Sequence, residues 1–295
     1  MAAPRLSVVT RTRGRNLLLR RAGQGLKASL PAGSEWIIVC DDPVPDGSVE
    51  LLVRSLGLGP DVAVKIVETR GIGRPEALNA GLDAATGTYL HFHDDDDTIE
   101  PGFYAKTLGF LDADPRYGAV VTWVERRSEA VEGDIIRPLT VTPHNPGLRT
   151  ITFAQLASAC LFPPIAFVAR RERALETGRF DRALDVAEDY DFFLRFLAIA
   201  DIGVIAERLC AVHVRPAADP ADALANSRAS DAYEEVDALY RNAKFRQDLA
   251  TGELGFGWLL LIGELAKTTT RVDAILGALR KAPLFGRLRK MMQQR

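Results

Sequence analysis

Cysteine is scarce: the 295 residues hold three, Cys40, Cys160 and Cys210, far apart and outside any CxxC or Cys/His cluster. That excludes a disulfide framework and a cysteine zinc site, and it fits a reducing cytoplasm. Net charge is nearly absent as well. Thirty-seven basic residues face 39 acidic ones, a balance of −2, so no global field draws the chain to nucleic acid. The longest apolar run, residues 254–262, is far short of the roughly 20 residues that a membrane-spanning helix requires. The opening MAAPRLSVVT has no signal-peptide architecture, and no internal repeat or low-complexity tract follows. What is present is an apolar content of 47% at a mean hydropathy of −0.01, enough for a substantial core. Length over about 150 suggests two domains, and α/β domains of roughly 200–250 residues keep one domain plus an extension open.

The first half alternates β-rich and helix-like segments. Strands are expected at residues 6–10, 36–40, 62–67, 88–93 and 118–124, with helices over 16–30, 48–56, 76–85 and 101–113. Such alternation predicts βαβ units, a mainly parallel sheet and right-handed crossovers. Residues 125–150 are rich in charge, proline and glycine and predict an irregular excursion or hairpin. A strand is expected at 165–169 and a helix over 188–200, with acids in its first turn where they complement the helix dipole. Two more strands are expected at 202–207 and 209–214. Beyond residue 216 the pattern is almost wholly helical, which places a boundary there.

The unusual residues fall at strand ends, where ligands bind in an open α/β sheet. Asp41 and Asp42 close the second strand, Arg70 to Arg74 follow the third, and Asp94 to Asp97 close the fourth. Four adjacent aspartates in a confined place raise one another's pKa, a conflict that a hard divalent cation resolves. In an extended segment alternate side chains share a face, which would pair Asp94 with Asp96. On these residues alone, a solvated acidic turn ahead of a proline-started helix remains open.

LSVVTRTRGR, EWIIVCDD and GRPEALNAGLDAATGTYLHFHDDDDTIEPGFY together resemble the nucleotide-binding half of family 2 glycosyltransferases of GT-A type. PPIAFVARRERALETGRFDRALDVAEDYDFFLRF resembles their acceptor half, including its Glu-Asp motif. The resemblance runs in order over residues 5–215. It implies a GT-A type, Rossmann-like α/β fold, a mixed and mainly parallel sheet flanked by helices, with a C-terminal helical extension. Residues 1–216 would form the glycosyltransferase domain, with 1–124 as the nucleotide-sugar-binding half and 125–216 as the acceptor half; 217–295 would be the extension. By position, Asp42 matches the aspartate that bonds the base. Thr10, Arg11 and Thr12 match the loop beside the nucleoside, and Gly73, Arg74 and Asn79 the segment along ribose and phosphates. Asp94-Asp95-Asp96 matches the DxD element, with Asp94 and Asp95 on the nucleotide side and Asp96 as direct ligand of Mn2+ or Mg2+. His213 matches a histidine that sometimes joins the metal. Asp189 matches the catalytic base, and Glu188 lies beside it on the acceptor side. Arg11 stands where proline is frequent, Gly14 replaces Asn or Asp, and Pro43-Val44 replaces glycine-serine after the aspartate pair.

The resemblance implies an inverting, metal-dependent transfer from a nucleotide-sugar, a UDP- or dTDP-sugar foremost, to a glycan or lipid-linked acceptor in bacterial-type polysaccharide assembly. A sugar nucleotidyltransferase is the competing enzyme class, but it opens with a glycine-rich phosphate loop and lysine that TRTRGRN lacks. A binding module without turnover is the non-enzymatic alternative, against which Asp42, Asp96 and Asp189 stand together. His91, His93, Trp36 and Trp123 alternate with strand residues and are expected to be structural. Residues 279–295 carry six basic residues and no acid among Leu, Phe and Met. Two readings fit that tail: a helix lying on the anionic inner face of a membrane, or one packing on the domain or a second subunit.

Overall fold

A computed structural model describes residues 4–184, 186–215 and 230–281. The first four strands are β1 (Leu6–Thr12), β2 (Ser34–Cys40), β3 (Val62–Glu68) and β4 (Tyr89–Phe92). They pair in parallel in the order β3-β2-β1-β4. Helices α1 (Asn16–Ser29), α2 (Ser48–Leu56) and α3 (Arg74–Ala84) make the crossovers. β2 is buried along its whole length, as expected of a strand covered on both faces, and Trp36, Ile37, Ile38 and Val39 build the core there. α3 packs so closely on β1 that a Cβ on Gly81 would lie 2.3 Å from Val9 Cγ1.

Beyond β4 the pairing changes sense. After α4 (Phe103–Ala113) come the 16-residue β6 (Tyr117–Glu132) and β7 (Ile135–Pro143). β8 (Phe167–Arg170) is antiparallel to both β4 and β6, while β9 (Asp201–Val214) runs parallel to β6. The full order is β3-β2-β1-β4-β8-β6-β9 and then a two-residue strand at Thr98–Ile99, with β7 hydrogen-bonded to the outer part of β6. The expected mixed, largely parallel sheet is therefore present. Residues 125–150 resolve as the hairpin alternative. The two strands expected at 202–207 and 209–214 are one: β9 continues through register shifts opposite Thr122 to Val124, which absorb the extra residues as bulges. Periodicity cannot distinguish such a bulge from a turn.

Several short elements escaped the pattern. β5 (Thr98–Ile99) pairs antiparallel with Ala211 and Cys210 of β9, and it fastens the aspartate run to the end of that strand. α5 (Phe153–Ser158) starts on a capping box made by Thr152 and Gln155. α6 (Arg171–Thr177) and α7 (Glu188–Leu197) complete the sheet unit.

The chain divides into two compact units: Met1–Ile151 with Leu161–Val236, and Thr152–Cys160 with Asp237–Arg295. The boundary expected after residue 216 falls in a stretch outside the described residues. α8 (Ser230–Thr251), from Asp237 onward, and α9 (Phe256–Lys281) supply the C-terminal helices of the second unit. Arg241 donates to the Ala157 carbonyl at 2.8 Å, and Gly263 lets α9 approach α5, since a Cβ there would lie 2.6 Å from the Ala157 backbone. No helix among the described residues is long and apolar enough to cross a membrane. Residues 282–295 of the basic tail lie outside the described residues.

Candidate active site

The carboxyl ends of β1, β2, β3 and β4 meet on one edge, and α7 and the end of β9 approach the same place. The four aspartates after β4 form a tight turn rather than an extended run, closed by Asp97 N–H donating to the Asp94 carbonyl at 3.3 Å. The turn gathers carboxylate oxygens of Asp94, Asp96 and Asp97 within 4.8 Å of one another. Asp94 and Asp96 are indeed neighbours, but turn geometry and not strand alternation brings them together. Asp95 turns inward, where it is fully buried, accepts from Thr12 Oγ1 at 2.7 Å and pairs with Arg15. Burial pushes the Asp95 carboxyl up to about 6 against the pull of Arg15.

Burial likewise raises Asp97, reinforced by Asp96 and Asp94. Asp96 moves the other way. Burial opposes its charge, but Arg15 at 3.3 Å and Arg215 hold its carboxyl below the usual range. Three close carboxylates of this kind are a hard-oxygen donor set that suits Mg2+ or Mn2+.

The loop after β3 is shaped by Asp41, not by Asp42. Asp41 Oδ1 accepts from Thr69 Oγ1 at 2.7 Å, Gly71 N–H at 3.0 Å and Ile72 N–H at 2.9 Å, and Oδ2 accepts from Gly73 N–H at 3.2 Å. One carboxylate thus satisfies a bent backbone that includes Arg70 at φ 56 and Gly73 at φ +96. Asp42 is half-buried beside the β1–α1 loop, where a Cβ on Gly14 would lie 3.5 Å from Asp42 Oδ1. Its Oδ2 accepts from the Cys40 thiol at 3.1 Å, and burial with that contact pushes the thiol up to about 12. Asp41→Ala is expected to lower the unfolding free energy by about 2 kcal/mol, because four part-buried donors lose one charged acceptor. Asp42→Ala should leave the denaturation midpoint near wild type, and chemical denaturation of the pair checks the contrast.

Arg74 opens α3 and reaches across the site. Its Nε lies 2.6 Å from Glu188 Oε1, an ion pair without hydrogen-bond alignment, and a terminal nitrogen is 3.5 Å from Asp94 Oδ2. Glu188 and Asp189 start α7 just after Ala187, a non-glycine residue at φ 67. A left-handed residue at a cleft is a strained geometry that the surrounding packing must hold. Asp189 Oδ1 accepts from Tyr190 N–H at 2.8 Å. Burial pushes Glu188 up to about 7 against Arg74, and burial also raises Asp189. Arg74, Asp94, Glu188 and Asp189 line one cleft, with Phe180 and Phe193 among its apolar walls.

Other expected site residues are spent on the scaffold. Thr10 Oγ1 accepts from Trp36 Nε1 at 2.9 Å. Asn79 bonds the Phe180 backbone with both ends of its amide, at 2.8 and 3.0 Å. Arg11 is largely buried with no hydrogen bond at Nε, and burial and the nearby Arg74 lower its pKa. His213 is engaged at both ring nitrogens, Nδ1 at 2.7 Å from Glu129 Oε2 and Nε2 at 2.8 Å from Thr98 Oγ1. The third carboxylate beside Asp94 and Asp96 is therefore Asp97, and His213 serves Glu129 and Thr98. His91 is a core residue, bonded to Tyr104 and to the Ile165 carbonyl, each at 2.9 Å. Sequence reasoning missed Arg15, Arg21, Glu129 and Arg215. Arg15 closes the quoted LSVVTRTRGR segment and Arg215 follows the strand expected at 209–214, whereas Glu129 lies in a segment with no pattern at all.

A family model described as Glycosyl transferase family 2 matches residues 7–177. The chain belongs to glycosyltransferase family 2. The amylovoran biosynthesis glycosyltransferase AmsE of Erwinia amylovora is 26% identical over 169 residues, 56% of this chain and 58% of AmsE. The chain thus spans less than two thirds of that relative's length. Among solved structures, S. aureus TarS 1-349 in complex with UDP-GlcNAc is similar at TM-score 0.58 and 17% identity, over 80% of this chain and 65% of that one. The mannosyltransferase PcManGT from Pyrobaculum calidifontis, in complex with GDP-Man and Mn2+, is similar at TM-score 0.54 and 18% identity. That likeness covers 99% of this chain and 84% of the other. At such identities it is a likeness of fold, and the fold of this family 2 member is GT-A-like. The Asp94–Asp97 turn is its DxD-like acidic element.

Proposed function

We propose that this glycosyltransferase moves a sugar from a nucleoside-diphosphate donor to an acceptor hydroxyl with inversion at the anomeric carbon. The carrying observation is the single cleft in which Arg74 spans Asp94 from one half of the sheet unit and Glu188 and Asp189 from the other. Donor-side charge and an acceptor-side base must meet across one anomeric carbon for direct displacement. The acceptor oxygen forms the new bond as the bond from the anomeric carbon to the diphosphate oxygen breaks. The nucleoside diphosphate leaves with the electron pair, and the hydroxyl proton passes to Asp189. Glu188 holds Arg74 from the acceptor side, and Arg74 places a fixed positive charge where the leaving diphosphate gathers negative charge.

Asp94, Asp96 and Asp97 would hold Mn2+ or Mg2+, which when bound neutralises the diphosphate as a Lewis acid. The Mn2+ in the PcManGT complex supports this choice, and the UDP-GlcNAc and GDP-Man complexes of the two fold relatives support the donor class. Asp42 takes the base of a UDP- or dTDP-sugar. Thr10 and Thr12, whose hydroxyls are engaged elsewhere, contribute backbone there. The name of AmsE, an amylovoran biosynthesis glycosyltransferase, supports a role in polysaccharide assembly, for which the acceptor is a glycan or a lipid-linked sugar. The free cysteines Cys40, Cys160 and Cys210 support a reducing, cytoplasmic location.

Incubation with a panel of nucleotide-sugars and Mn2+ tests the reading through nucleoside diphosphate release that depends on acceptor. UDP or dTDP should raise the melting temperature clearly with Mn2+ and weakly in chelator, since ligand stabilisation grows with the logarithm of affinity. Equal stabilisation in chelator would remove the metal from the scheme.

A further inference from the structure

Asp96 is not a bare carboxylate awaiting a cation. Arg215 sits at the end of β9, 2% exposed, and divides its guanidinium between two acids. One terminal nitrogen pairs with Asp96 Oδ2, and the other donates to Glu129 Oε1 at 2.7 Å. Glu129, itself 3% exposed on β6, also accepts from Arg21 at 2.7 Å and meets His213 Nδ1 at 2.7 Å. The second guanidinium on Asp96 belongs to Arg15, but Arg15 is committed to Asp95 through two of its nitrogens.

We propose that Arg215 is a resident counter-ion of Asp96 that competes with the divalent cation for this carboxylate, and that Glu129 is the anchor that keeps Arg215 paired when the cation enters. This rests on the metal-dependent reading above. The physical argument is charge conservation in a buried place. A divalent ion brings two positive charges to a carboxylate already matched by two guanidinium groups, so one of those must yield. A buried arginine cannot be left without a partner at acceptable cost. Arg15 would have to abandon Asp95, whereas Arg215 keeps a charge-assisted bond to Glu129 whichever way it moves. Glu129 in turn is held in place by Arg21 and His213, so it does not follow Arg215 or join the cation. Arg215 and Glu129 are positioning residues, and they set how tightly the site takes its metal.

The test is Mn2+ binding to the full chain, read from the EPR signal of free Mn2+ without any turnover. Arg215→Met should bind Mn2+ about 10-fold more tightly than wild type, the equivalent of one ordinary contact withdrawn from competition. Glu129→Gln should bind it about 10-fold more weakly, because Arg215 then has only Asp96 as a charged partner of the two. Arg21 cannot serve as the charge control, since it bonds both Glu129 and the Asp96 backbone carbonyl. Arg127→Met removes an equal charge whose partners are Glu100 and Glu125, and its affinity should stay within about threefold of wild type. If Arg127→Met and Arg215→Met tighten binding equally, a general field effect replaces the proposal. Should Arg215→Met fail to fold, Arg215→Lys keeps the charge on a single nitrogen that cannot bridge both acids, and it should tighten binding by a smaller factor. Unchanged affinity in the Arg215 variants, beside a wild type that binds Mn2+, overturns the proposal and leaves the metal reading standing. Absence of binding in the wild type and in every variant overturns both.

Discussion

Asp189→Asn is expected to lower sugar transfer about 10²–10⁴-fold, the contribution of a positioned general base. The loss should fall on kcat, with nucleotide affinity near wild type, because this side chain meets the acceptor hydroxyl and not the diphosphate. Geometry favours Asp189 over its neighbour for the role. Asp189 is half-buried, with Oδ1 oriented by the Tyr190 amide, while Glu188 is 1% exposed and has its Oε1 against Arg74. Asparagine is nearly isosteric. It also removes a charge that burial disfavours on balance, so stability should stay within about 1 kcal/mol of wild type. Glu188→Gln loosens Arg74 instead, and it should lower turnover by a smaller factor while also weakening donor binding. Steady-state kinetics on the two variants, with donor affinity measured by calorimetry, separate these effects. A dead Glu188→Gln beside an active Asp189→Asn would move the base to Glu188.

The parallel half of the sheet was legible because each strand there is short, β-branched and flanked by an amphipathic helix. α2 over Ser48–Leu56 was expected at those residues, although its start is set by Gly47 at φ 77 and not by a serine cap. The second half was less legible because its structure rests on non-local pairing. Nothing in residues 125–132 marks a strand that carries Glu129 out beside His213, and a bulged β9 looks like two strands in a one-dimensional pattern. The two-residue β5 has no periodicity to detect, yet it draws Asp97 to the His213 amide at 3.0 Å. Within the site, the sequence located the acidic clusters but could not say which member of each faces the ligand. Asp41 and Asp42 are equivalent in a string of letters. In space one braces a loop with four bonds and the other borders the β1–α1 turn. The same holds for Asp95, turned to Arg15, and Asp97, turned to the cluster. Charge compensation decides these orientations. The compensating arginines come from α1, α3 and the end of β9, too far apart in sequence for spacing to reveal them.

Arg74→Met should lower transfer about 100-fold at neutral pH, the scale of losing one preorganised charge at a leaving group. It should also move the acid limb of the pH–rate profile upward. In the wild type, burial raises the carboxyls of Glu188 and Asp189, and Arg74 restrains both. Removing the restraint raises them further, so at a given pH a larger fraction of the base carries a proton and cannot accept another. Activity should therefore recover in part as pH is raised, by up to about tenfold for each unit of displacement. The stability sign follows from the same shift. Glu188 has a folded-state pKa raised to about 7, so its contribution is fully present below the unfolded value near 4.5 and is lost as pH rises through 7. Without Arg74 the folded-state value climbs, the penalty for ionising the buried acid grows, and the variant's melting temperature should fall further behind wild type at alkaline pH than at acidic pH. Arg74→Lys keeps a charge and should show a smaller displacement of both curves. An acid limb at the wild-type position in Arg74→Met would show that this arginine serves the diphosphate alone and does not set the ionisation of the base.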